Sequence, residues 1–100
     1  MTQVSTGEQF ILGKDAPLGV GQLTGLTTAK GFTTIPQNAR YAIVQCTGKS
    51  VRYSDDGVAP TESTGITINV GQSCLYNGDL AAIKFIETAA TAVIDYAFYA

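Results

Sequence analysis

The sequence predicts an all-β protein, a small antiparallel β-sandwich or barrel with an extended N-terminal arm. Three observations point there. From Ile66 onward short alternating apolar segments follow one another with little between them except turn residues, as in a C-terminal β-meander. Asn77-Gly78 is the dipeptide that a tight type I′ hairpin turn demands, because both central residues of that turn need positive φ. The first 38 residues are broken by Pro17, by regularly spaced glycines and by Thr27-Thr28 and Thr33-Thr34, which discourages helix.

Residues 1–31 read as the arm and residues 32–100 as the β domain. Glycine recurs in the arm at positions 7, 13, 19, 25 and 31. A period of this kind invites a β-helix, but a solenoid needs one consistently aliphatic column, and the columns here mix Glu8, Lys14 and Val20 with Leu26 and Phe32. Within the arm Gln9-Phe10-Ile11-Leu12 has the composition of one short strand. The arm carries apolar side chains and no evident local core. Phe10, Ile11, Leu12, Leu18, Leu23 and Leu26 are therefore the candidate partner-binding residues.

In Tyr41-Ala42-Ile43-Val44-Gln45-Cys46 both alternating faces are largely apolar, which predicts a central strand covered on two sides. Thr47-Gly48-Lys49-Ser50 then turns into a strand at Val51-Arg52-Tyr53. Residues 54–65 form the longest polar connection in this half. Beyond it Ile66, Ile68 and Val70 share one predicted face, Cys74 pairs with Tyr76, Ile83 with Phe85, and Ile94 and Tyr96 with Phe98. That period of two is the mark of half-buried strands, and six of them curl into a sandwich or barrel.

Apolar residues make up 45% of the chain and charged residues 14%, against roughly 25% charged in an ordinary soluble domain. So few charges on a small surface predict that a partner covers part of it. Net charge is −2 and the six basic residues stand singly, so there is no basic patch for nucleic acid. No run reaches the roughly 20 apolar residues of a membrane-spanning helix, and residues 1–5 carry no positive n-region of a secretory signal. The expectation is synthesis in a cytoplasm with no membrane partner. Cys46 and Cys74 then read as reduced, buried thiols rather than a disulfide. With no histidine, two thiols are too few for zinc.

Catalytic patterns fail one by one. Asp55-Asp56-Gly57 lacks the alternating ligand spacing of a calcium loop and reads as a turn. Glu62 with either aspartate has nothing to separate the pair's pKa values for acid/base work. Hydroxyls and thiols lack the usual histidine base, and Gly19-Val20-Gly21 lacks the full dinucleotide motif. The expectation is no enzyme, no cofactor and no metal. Aromatic side chains in strands read first as packing, with outward tyrosines as a possible platform for sugars.

Two stretches resemble a known pattern. Val51-Arg52-Tyr53-Ser54-Asp55-Asp56-Gly57-Val58-Ala59-Pro60-Thr61, followed by Gly71-Gln72 and Tyr76-Asn77-Gly78-Asp79-Leu80-Ala81-Ala82-Ile83-Lys84-Phe85-Ile86, is similar to small all-β virion structural proteins of tailed bacteriophages. The similarity spans about residues 32 to 99. It implies a virion component, first a capsid decoration or cement protein that bridges capsid subunits. The partners implied are the major capsid protein or other virion subunits, with a homo-oligomer expected. The alternatives are a tail, head-tail adaptor or baseplate component, and a carbohydrate-binding module for host attachment.

Overall fold

The computed structural model describes residues 16–100. Eight strands make two four-stranded antiparallel sheets: β1 (Pro17–Leu23), β2 (Lys30–Gly31), β3 (Tyr41–Thr47), β4 (Val51–Ser54), β5 (Ile66–Ile68), β6 (Ser73–Tyr76), β7 (Lys84–Glu87) and β8 (Val93–Tyr99). The first sheet runs β1-β8-β3-β6 and the second β2-β7-β4-β5. No described residue is helical. The protein is a small β-sandwich.

Its path through the two sheets is not a meander. Among the described strands only β4 and β5 are consecutive and adjacent in one sheet; every other link crosses to the opposite sheet. The predicted inward pairs hold all the same: Ile83, Phe85, Ile94 and Phe98 are buried, and Cys74, Tyr76 and Tyr96 pack against them. A period of two says which face of a strand is apolar, but not which sheet the strand joins. Both inner faces line one core, so the two arrangements look identical in sequence.

Asn77-Gly78 correspondingly makes no type I′ hairpin. The one non-glycine with positive φ among the described residues is Asn38, and Gly78 is not among the positive-φ glycines. The Tyr76 ring folds back over Gly78, where a Cβ would strike the phenol. Glycine stands there for room, not for its backbone freedom.

The expected arm is corrected over its described part. β1 pairs with β8 from Pro17↔Tyr99 to Leu23↔Ile94, and Lys30 and Gly31 in β2 pair with β7. Leu26 is fully buried, Leu23 is buried, and Leu18 packs against the core. These three leucines hold the sandwich together and are not free for a partner. Two features make this possible: β8 needs a neighbour opposite β3, and Gly21 lets the Tyr96 ring lie across β1. Residues 9–12, with Phe10, Ile11 and Leu12, lie outside the described residues.

Two further expectations change. β3 is central, between β8 and β6, but its outer face is covered only at Tyr41, since Gln45 is exposed and Ile43 half-buried. Ile68 is buried at 2% exposure while Ile66 and Val70 stand 61% and 55% exposed. β5 is three residues long, and Ile66 at its start and Val70 beyond its end both lie off the core. Phe32, just beyond β2, closes that core: its ring centroid lies 4.8 Å from Tyr96, 5.0 Å from Phe98 and 5.7 Å from Phe85.

Candidate functional site

The outer face of the first sheet is the candidate site. Antiparallel register lines its outward side chains into rows that cross the strands. Gln22, Asp95, Gln45 and Ser73 form a polar row. Beside it Val20, Ala97, Ile43 and Leu75 form an apolar row. Tyr99 and Tyr41 complete the face as a stacked pair, centroids 5.4 Å apart and planes 12° from parallel.

Small Ala97 in the middle of β8 leaves the floor low between Tyr99 and Asp95, and an open groove of about 810 Å³ results. Gln22 Nε2 donates a 2.7 Å hydrogen bond to Asp95 Oδ1 across β1 and β8. Among the described residues Asp95 is the one charged side chain lining the groove, and Val20 on its rim is 84% exposed. Such a surface can accept hydrogen bonds and bury apolar area. Among the described residues lining it, no hydroxyl or thiol is hydrogen-bonded to a base.

The acidic residues weighed in the sequence serve the loop after β4. Asp55 Oδ2 accepts a 2.6 Å hydrogen bond from the Tyr76 hydroxyl, and Asp56 Oδ1 accepts one of 3.0 Å from the Val58 amide. Arg52 braces the same loop from beneath, donating to the carbonyls of Glu62 and Gly65 at 3.1 and 3.0 Å. Burial first, then the hydrogen bond to Asp55 and its charge, hold the Tyr76 phenol above the usual tyrosine range. Among the described residues no three His, Cys, Asp or Glu side chains cluster as a metal site would need.

Both thiols are free, with Cys46 buried and Cys74 half-buried. Cys46 Sγ donates to the Lys49 carbonyl at 2.8 Å. Burial pushes both thiols up, opposite to the shift that makes a reactive thiolate.

The groove residues were not among the candidates named from sequence. Their signal was the outward half of the last strand, where Asp95 and Ala97 alternate with Ile94, Tyr96 and Phe98. Comparison with protein-family models, with curated proteins and with solved structures gives no match.

Proposed function

We propose that this protein is a capsid decoration, or cement, protein of a tailed-bacteriophage virion that stabilises the head by bridging capsid subunits. The observation that carries this reading is the outer face of the first sheet, a broad groove with a single charged lining residue among those described, Asp95, and Val20 open on its rim. Such a face suits contact with a large partner, the major capsid protein or another virion subunit. The resemblance of residues 51–61 and 71–86 to phage virion proteins supports the same assignment. A protein that binds only the assembled shell stabilises it by mass action, and repetition over a symmetric particle multiplies a modest contact at each copy.

Particles lacking the protein are expected to assemble but to release their genome at lower temperature, and purified protein added back should restore them. Ile43→Glu, which places a charge on the groove floor, should fold and fail to restore. Equal robustness without the protein would overturn the reading. A handful of copies per particle instead of hundreds would point to a tail, adaptor or baseplate part.

One observation favours a second reading, the carbohydrate-binding module. The Tyr41–Tyr99 stack and the row of amide, carboxylate and hydroxyl groups flank the apolar row from its two sides, a combination that can hold a sugar by stacking and hydrogen bonding. A glycan-binding screen, with Tyr99→Ala as control, decides it.

A further inference from the structure

We infer that the open edge of β1 pairs with β1 of a second copy of this chain, antiparallel, about a two-fold axis at Gly21. This goes beyond the virion reading and rests only on the geometry of that edge. The described sheets end in four edge strands, β1, β6, β2 and β5, of seven, four, two and three residues. Proteins blunt their edges by shortness, charge, bulges or proline. Three of these edges are short. β1 is long, its sequence PLGVGQL holds no charged residue, and its proline and bulge are confined to its first residues.

The hydrogen-bond parity of β1 follows from its neighbours. Ala16 and Ala100 exchange both backbone hydrogen bonds, at 3.3 and 3.0 Å, while the Tyr99 carbonyl turns the other way and accepts from the Arg40 amide at 2.8 Å. Backbone groups alternate sides along an antiparallel strand. Phe98, Tyr96 and Ile94 therefore face β1, and their partners Gly19, Gly21 and Leu23 turn their backbone groups inward to meet them. Val20 and Gln22 are left with N–H and C=O directed to the open side. No described strand pairs with that side.

A two-fold at Gly21 sets Val20 opposite Gln22 of the second copy and Gln22 opposite its Val20. Those are the positions whose backbone groups point outward, so every such group on both strands gains a partner. Gly21 then faces Gly21 of the second copy, with no Cβ on either side to crowd the Tyr96 rings that lie over them. With no charge in β1, self-pairing brings no like charges together. The Val20 side chain, 84% exposed, gains cover beside Gln22 of the second copy, and the two outer grooves join into one eight-stranded face.

The test uses the full chain. Sedimentation over a dilution series should give twice the chain mass at high concentration, and Val20→Pro, which removes the outward amide, should give one chain mass with unchanged strand signal. Hydrogen exchange of the wild type should show the Val20 and Gln22 amides slow at high concentration and fast on dilution, which keeps the test decisive even if Val20→Pro fails to fold. A monomer with fast amides throughout overturns the proposal. So does protection that ignores concentration and disappears when residues 2–15 are deleted, which would mean that the chain covers its own edge. A dimer in which both amides stay fast would assign the contact to another face, and capture of a different protein's strand by a monomeric chain would assign the edge to that partner.

Discussion

The Tyr76 hydroxyl donates a 2.6 Å hydrogen bond to Asp55 Oδ2 and so ties the end of β6 in the first sheet to the loop after β4 in the second. The same hydroxyl reaches the Asp79 carbonyl at 3.2 Å. One phenol thus fastens the β4–β5 loop within the second sheet and the β6–β7 link by which the chain passes between sheets.

Tyr76→Phe should cost about 1 kcal/mol of stability and should flatten the alkaline limb of the stability profile. The sign follows from the direction of the shift. Burial, with Asp55 second, raises the folded-state pKa, so the fold prefers the neutral phenol. That preference is fully present below the unfolded value of about 10 and is lost as pH rises through the folded one. Urea denaturation from about pH 8 to about pH 11 should show wild type losing stability, first as the Cys46 and Cys74 thiols titrate and then as Tyr53 and Tyr76 do. An identical alkaline limb in Tyr76→Phe would remove the tie from the account.

Gly21→Ala should destabilise by about 1–3 kcal/mol through overpacking. The added Cβ would lie 2.6 Å from the Tyr96 hydroxyl and 2.7 Å from its Cζ. That ring cannot swing away freely, because it packs edge-on against Phe32 and Phe98. In a Tyr96→Leu background the same alanine should cost measurably less. Additive losses in thermal melts of the double variant would show that the two positions do not meet.

A chain beginning at Phe32 should not hold the sandwich. It lacks β1 and β2, and it lacks the buried Leu23 and Leu26. Leu26→Ala alone, at a fully buried position, should cost about 2–5 kcal/mol. Circular dichroism and thermal melts check both. A shortened chain that melts cooperatively near the wild-type temperature would restore the boundary expected from the sequence at residue 31.

What could be read from sequence was set by distance along the chain. Ile94 and Phe98 announced their burial because alternation is a local property of one strand. Leu23 and Leu26 did not, because what covers them comes from β8 and β7, more than half the chain away. Gly78 looked like a turn position and Gly21 like part of an incomplete dinucleotide motif, yet both leave room for a tyrosine ring, and nothing nearby in sequence specifies that Tyr96 will lie over Gly21. The candidate groove was hidden for the same reason. Its rows join Gln22, Asp95, Gln45 and Ser73 from four strands, and only the register of the sheet puts them side by side.

Glu87 gives the last prediction. It is a charged side chain only 7% exposed, at the end of β7 where the chain crosses back to β8. Its Oε1 accepts a 3.1 Å hydrogen bond from the Ala92 amide, and its own amide donates to the Leu26 carbonyl at 2.9 Å. Beside it the Thr88 amide reaches the Ser50 carbonyl at 3.0 Å, and the two hydroxyls lie 2.6 Å apart. The side chain thus serves as the acceptor for a buried amide in the crossing link. Glu87→Ala should leave the Ala92 N–H without that acceptor and cost about 1–3 kcal/mol. Glu87→Gln keeps an oxygen at the same reach and removes a charge from a site that solvates it poorly, so it should stay within about 1 kcal/mol of wild type. Amide exchange at Ala92 supplies the second readout, fast in Glu87→Ala and slow in Glu87→Gln. Equal losses in the two variants would mean that the carboxylate's charge, and not its acceptor oxygen, is what this link requires.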